Sequence, residues 1–348
     1  MAGLVTLSQV AREAGVSLAT ASRAFNGSAN RTVRADLRDR VLAAAEKLHY
    51  SPDANAQAMA RGRTMSIGLI VHDIADPYFS SIASGVTLAA ERAGLVVTLA
   101  STQHDPSREP GFVEVLTSQR ARAIIVAGGR RDDETVNDRM RRALADYRRS
   151  GGAVAVIGQP LLSVDTVVVA NTSGAAALAR ALHARGYRRF AVLAGPDDHF
   201  TARDRFTGFA TALAELGCPL REQDAIACAF TRDGGHEGMH RLLRGGTDVE
   251  CVFAVNDVMA VGAMAAVRET ARTVPDDIAV AGFDDIVTLR DITPPLTTVR
   301  VPLVDIGIAA TELALAAPAA EPRLVHVEGT VVLRASTPGR EPSDQAQP

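Results

Sequence analysis

Cysteine is scarce in this 348-residue chain. Cys218, Cys228 and Cys251 make neither an even disulfide framework nor a C-x-x-C metal pair, so they read as idle or buried thiols of a reducing compartment. Long apolar runs are missing too: nothing approaches the roughly 20 residues that span a bilayer, and the N-terminus lacks the apolar core of a signal peptide. The expectation is a soluble cytoplasmic chain with no membrane partner. No GxxxxGK[ST] loop, no GxGxxG after a strand and no nucleophile elbow occur, and Gly128-Gly129 and Gly151-Gly152 read as loop glycines. An enzyme with a catalytic set or a cofactor is therefore not expected.

One fragment of catalytic vocabulary does occur. His236-Glu237-Gly238-Met239-His240 spells HExxH, which on a helix would offer two histidines to zinc and a glutamate as base. Yet the segment opens on Gly234 and Gly235, carries Gly238 inside, and is followed by no evident third ligand. It reads as a weak surface helix, and no metal site is expected.

What is present points to a small unit and a large one. Hydrophobic residues make up 47% of the chain, enough to fill one small and two medium cores. The net charge of -3 hides an asymmetry, because residues 1–63 hold nine Lys/Arg against five Asp/Glu. A basic head on an acidic body suits a polyanion at one end.

Within the head, Leu7, Val10, Ala11 and Ala14 fall on one helix face behind a Thr6 cap. Gly15 ends that helix, Val16 plugs the corner, and Ser17 caps a second helix running to about Phe25. Two short helices joined by a tight glycine turn make a helix-turn-helix signature. Ala21, Ala24 and Phe25 are expected to pack inward, leaving Leu18, Ala19, Ser22 and Arg23 outward, where a major groove would lie. Arg23 suits a guanine edge, and Leu18 and Ala19 suit thymine methyls. A third amphipathic helix is expected over 36–48, with Val41, Leu42, Ala45 and Leu48 on one face.

This run, continuing into LHYSPDANAQAMARGRT, resembles the N-terminal domain of the lactose-repressor (LacI/GalR) family of bacterial transcription regulators, and the resemblance extends to about residue 338. It departs from the family at Arg34 and Leu37, where a serine cap and a threonine are usual. Helical face and resemblance together nominate Thr6, Ser17, Leu18, Ala19, Thr20, Ser22, Arg23, Asn26, Tyr50, Gln57 and Met59 for DNA contact. The segment after Pro52 is too short to be helical alone in water. The resemblance makes it a hinge helix that orders on DNA, with Met59 as an apolar wedge in the minor groove; its plainer reading is a linker.

From Ser66 onward, strand-like runs (SIGLIV, LVVTLAS, AIIVAG, AVAVIG, TVVVA, FAVLAG, CVFAV, IAVAGFD) alternate with helical stretches such as 78–93, 173–185 and 201–216. That alternation predicts doubly wound parallel sheets covered by helices on both faces. There are too many strands for one simple sheet, so two lobes are expected, as in periplasmic sugar-binding proteins. The domain reading is 1–51 for the helix-turn-helix, 52–64 for the hinge, and 65–338 for the body. Within the body a first lobe takes 65–159 plus 284–300, a second 160–283 plus 301–338, and 339–348 forms a disordered tail.

A ligand is expected between the lobes at the carboxyl ends of the strands. Phe79 and Ser80 follow the first body strand, Arg205 opens a helix, and Asn256 and Asp284 end strands. The resemblance assigns effector contacts to Phe79, Asn171, Arg205, Phe230, Asn256 and Asp284, although Ala170 stands where the family usually has an acid. Each has a local alternative: Asp284 as a turn cap, Arg205 pairing with Asp204, Phe230 as core. Charged groups and aromatic faces together suit a polyhydroxylated ligand. No leucine heptad follows the body, which favours a homodimer over a tetramer and a palindromic operator. The resulting expectation is a sugar-responsive transcriptional repressor acting on the nucleoid. The rival reading is a cytoplasmic sugar-binding protein or α/β enzyme carrying a helical interaction module.

Overall fold

The computed structural model describes residues 5–26, 32–51 and 63–340. They belong to two compact units, residues up to 66 with 117–122, and the remaining body. Gln57, Met59 and residues 52–62 of the hinge reading lie outside the described residues, as do residues 341–348; residues 339 and 340 of the expected disordered tail are ordered, the Arg340 N–H donating to the Arg185 carbonyl at 2.8 Å.

In the small unit, α1 (Leu7–Ala14), α2 (Leu18–Asn26) and α3 (Ala35–Lys47) close on one core of small side chains, Val10, Ala11, Ala14, Ala21, Ala24, Val41, Ala44 and Ala45. Alanines at these positions let the helix backbones approach closely, and Val16, Phe25 and Tyr50 seal the edges. Gln9 accepts from the Thr6 backbone N–H at 2.7 Å and so fixes the start of α1. The end of α1 needs a left-handed residue, and Gly15 supplies it at φ 62°. Arg40 of α3 then donates to the Ala14 carbonyl at 2.6 Å, tying the turn to the third helix.

The body begins with β1 (Ser66–Val71), β2 (Val96–Ser101), β3 (Ala123–Ala127), β4 (Ala153–Ile157) and β5 (Asp165–Val169), linked by α4 (Pro77–Arg92), α5 (Glu109–Ser118) and α6 (Glu134–Arg149). The chain next forms α7 (Asn171–Ala184), then β6 (Phe190–Leu193), α8 (Phe200–Glu215), β7 (Ala225–Ile226), α9 (Arg232–Arg244), β8 (Cys251–Ala254), α10 (Asp257–Glu269) and β9 (Ala279–Ala281). It ends with β10 (Thr298–Arg300), α11 (Leu303–Leu315), β11 (Leu324–Val327) and β12 (Thr330–Val332). One sheet has the order β11-β5-β4-β3-β1-β2 and the other β7-β6-β8-β9, while β10 and β12 pair antiparallel. Near-continuous burial along β1, β3 and β4 follows from helices on both faces.

The lobes exchange chain at other places than the sequence reading put them. Residues 160–170 stay in the first lobe, because β5 pairs with β4 through Val156↔Thr166 and Ile157↔Val167. The first crossing therefore comes at Ala170. The late segments are inverted as well: β10 lies by the second lobe, where Thr297 bridges Ala281, and α11 with β11 completes the first, β11 pairing with β5. Residues 336–340 then return to the second lobe, the Ser336 hydroxyl donating to the Val280 carbonyl at 2.7 Å. The apolar runs could not reveal this, since a buried strand reads the same in either sheet. Among the described residues no helix is long and apolar enough to cross a membrane.

Candidate functional site

The outward face of the small unit follows from how α2 is anchored. Ser17 Oγ accepts from the Thr20 backbone N–H at 3.1 Å and meets Thr20 Oγ1 at 2.8 Å, so Ser17 and Thr20 start the helix together. Ala21 and Ala24 are buried, which turns Leu18 (51% exposed) and Ala19 outward. Ser22 is half-buried on the same helix. Arg23, also half-buried, donates from Nε to the Ala19 carbonyl at 2.9 Å, leaving the terminal nitrogens of its fork on the face. Asn26 is the last residue of α2, and Tyr50 packs 5.8 Å from Phe25, ring to ring. Arg34 at the start of α3 makes no side-chain cap and pairs instead with Asp36 at 3.1 Å.

The body holds a cavity of about 260 Å³ between its lobes. Its walls are strand ends: His72 follows β1, Gly129 and Arg131 follow β3, Pro196 and His199 follow β6, Asn256 follows β8 and Asp284 follows β9. Helix starts complete it, with Asp76, Tyr78 and Phe79 at α4 and Thr231 at α9. One side is latched shut. Asp132 N donates to Asp198 O at 2.7 Å, Phe200 N to Arg130 O at 3.0 Å, and Arg131 pairs with Asp198 at 3.0 Å.

Arg205 is the hub of the cavity floor, only 2% exposed. Its Nε donates to Asn171 Oδ1 at 2.8 Å and its Nη1 to the Val255 carbonyl at 2.8 Å. The guanidinium grips Asp284 with both terminal nitrogens, at 2.7 and 3.2 Å, and stacks 3.9 Å over the Phe283 ring. Arg205 thus ignores neighbouring Asp204 and takes a partner from another strand end. Asp284 sits at φ 121°, a strained conformation for a residue with a side chain, held by its N–H to the Val299 carbonyl at 2.8 Å. Burial pushes its carboxyl up to about 6, against the opposing pull of Arg205.

Burial also raises Asp76, whose Oδ1 accepts from the Tyr78 backbone N–H at 2.9 Å. His199 is driven down to about 3 by burial, so its ring is neutral and stacks 4.6 Å from Phe230. Tyr78 is raised by burial and by the Asp284 charge, which keeps its phenol a proton donor.

Of the effector candidates, Phe79, Arg205, Phe230, Asn256 and Asp284 line this one cavity. Asn171 reaches it only through Arg205. Ser80 does not face it: it lies one residue round α4 from Phe79, donates to the Pro77 carbonyl at 3.2 Å, and lines a separate depression. Sequence reasoning missed His72, Asp76, Tyr78, Arg131, His199 and Thr201. The signal available for Asp76 was the Asp-Pro start of a helix straight after a strand.

Known proteins carry the same two parts. The model for bacterial regulatory proteins of the lacI family matches residues 6–53, and the periplasmic binding protein-like domain matches 179–337. The HTH-type transcriptional regulator GalS of Salmonella typhimurium is 35% identical over 314 residues, spanning 90% of this chain and 89% of its own. GalR of Escherichia coli is 32% identical over 350 residues, 99% of each chain. Among solved structures, the transcriptional regulator CelR in complex with cellobiose superposes with a TM-score of 0.69 at 28% identity, over 95% of this chain and 99% of that one. With that similarity running from the N-terminal helices to the last strands of the body, the chain belongs to the lacI family of DNA-binding transcription regulators.

Proposed function

We propose that this protein is a homodimeric, nucleoid-bound repressor whose operator affinity is set by a sugar or sugar derivative held in the cavity, and that it is not an enzyme. The observation that carries the reading is the Arg205–Asp284 pair on the cavity floor. Four of the five guanidinium N–H groups are used inside the protein, which leaves one on Nη2, together with the second lone pairs of Asp284, for ligand hydroxyls. Phe79 from the first lobe and Phe230 from the second offer apolar faces for the C–H side of a sugar ring. Asp76, Tyr78 and Asn256 add polar groups at the walls. The cellobiose held by CelR is in keeping with this chemistry.

On the DNA side, Arg23, Leu18 and Ala19 read base edges, while Thr6, Ser17, Thr20, Ser22, Asn26 and Tyr50 position α2 against phosphates. A two-fold dimer would place two such helices on a palindrome about one helical turn apart. A ligand that favours one lobe arrangement must change operator affinity reciprocally, typically by about 1–3 kcal/mol.

A thermal-shift screen against mono- and disaccharides and nucleosides identifies the ligand, because saturation at 100 times Kd stabilises the fold by roughly 2.7 kcal/mol. An operator titration follows with and without that compound. Equal operator affinity in both conditions would remove the switch from this reading.

A further inference from the structure

The HExxH run is a good helix in the structure, and it has a third partner. His236 and His240 sit one turn apart on α9 with their rings edge to face, centroids 4.6 Å apart. Both Nε2 atoms point at the carboxylate of Glu269, the last residue of α10, at 3.0 Å and 2.9 Å. The three donor atoms lie within 4.8 Å of one another. We propose that His236, His240 and Glu269 form a three-ligand site for a divalent transition metal of the zinc class, pinning α9 to α10, with water as fourth ligand.

The donor set selects the metal. Two imidazoles and one carboxylate suit zinc, cobalt, nickel or copper and disfavour magnesium or calcium, which prefer all-oxygen shells. In a tetrahedral zinc site with ligand bonds of about 2.0–2.1 Å, neighbouring donors stand roughly 3.3 Å apart. The two histidine–Glu269 separations need to open by only a few tenths of an ångström, which the half-exposed Glu269 side chain can supply, and the two Nε2 atoms, within 4.8 Å of each other, close on the ion by small rotations of their rings. Each ring needs its proton on Nδ1 so that the Nε2 lone pair faces the metal; the two hydrogen bonds to the carboxylate are then replaced by metal bonds.

The ligands also stand on a rigid base. A Cβ on Gly262 of α10 would lie 1.9 Å from the Arg232 carbonyl and 2.9 Å from the His236 nitrogen of α9, so the two backbones are in direct contact beside the site. Pairs of rigid elements hold metal geometry better than loops do. The histidine side chains keep 23% and 25% of their surface, leaving a path for the ion and room for its water.

The test is a Zn²⁺ titration of the full, untagged chain by competition with a chromophoric chelator, with Co²⁺ absorption as a spectroscopic signature. One ion per chain, a visible Co²⁺ band of tetrahedral intensity and a higher melting midpoint with zinc are expected. His236→Ala and His240→Ala should each weaken binding by more than about tenfold and erase the band. His236→Gln, which keeps the side-chain volume, should do the same if an alanine variant fails to fold. His326→Ala, on exposed β11, should change nothing. No binding by the wild type, equal binding of Mg²⁺, or unchanged affinity in the folded His236→Ala/His240→Ala double variant would overturn the site.

Discussion

Asp284→Ala removes the carboxylate that neutralises a guanidinium buried to 2% exposure. Arg205 would keep only Asn171 Oδ1 and the Val255 carbonyl as acceptors, neither of them charged. Breaking a buried pair by deleting one member costs about 3–5 kcal/mol, because the other charge stays out of water. In a body of this size each kcal/mol moves the melting midpoint by roughly 2–4 °C, so a fall of roughly 6–20 °C is expected in ligand-free protein at neutral pH. Replacing both members, Arg205→Met with Asp284→Leu, should recover most of that loss while abolishing ligand response. Circular-dichroism melts of wild type, single and double variants decide the matter. A single variant melting with the wild type would mean that Arg205 is not dependent on Asp284, and the hub described above would be wrong.

Other outcomes follow from the same geometry. Gly15→Ala forces a left-handed alanine and sets its Cβ 2.9 Å from Arg40 Nη2, so the helical unit should lose about 1–2 kcal/mol, read as faster hydrogen exchange at Val10 and weaker operator retardation. Arg23→Ala should cost about 1–3 kcal/mol at one base pair and relax preference there; an equal loss on random duplex would make Arg23 a phosphate contact. Asp257, fully buried and accepting from Thr298 Oγ1 at 2.7 Å, is pushed up to about 7 by burial and the charge of Asp284. The folded chain then holds a proton that the unfolded chain has released, so stability falls as pH rises from about 4 through 7, with a slope of up to about 1.4 kcal/mol per unit. Denaturation across that range should show a shallower slope in Asp257→Asn; an unchanged slope would clear Asp257 of the titration.

All eight strand-like runs read from the sequence are strands; most are parallel strands covered on both faces, which read as continuous apolar words, while β2 is apolar though largely exposed at a sheet edge. The strands that escaped notice are of another kind. β7 has two residues, β10 and β12 have three each, and β11, LVHV, alternates between exposed and half-buried positions at a sheet edge. The crossings were misread for a related reason: periodicity reports burial, not which sheet supplies it. At the cavity, Arg205 and Asp284 were legible as chemistry at strand ends, yet their mutual pairing joins residues 79 apart and leaves no local mark. The glycines of α9 misled in the opposite sense. Gly235 weakens an isolated helix, but here a Cβ would lie 2.2 Å from the Met259 carbonyl, and that close approach is what carries His236 and His240 to Glu269.

The shared chain of the two lobes also orders their birth. The second lobe's sheet and its helices α7 to α10 come from one stretch, 171–281, whereas the first lobe, begun at Ser66, lacks its edge strand β11 and its covering helix α11 until residue 327 has been made. On a ribosome the first-lobe sheet must therefore wait with part of one apolar face bare, where α11 will pack against β3, β4 and β5, while its neighbour already has its strands in hand. The sheet that is started first is the one closed last, and the interval between is when a nascent chain of this kind has most need of a chaperone.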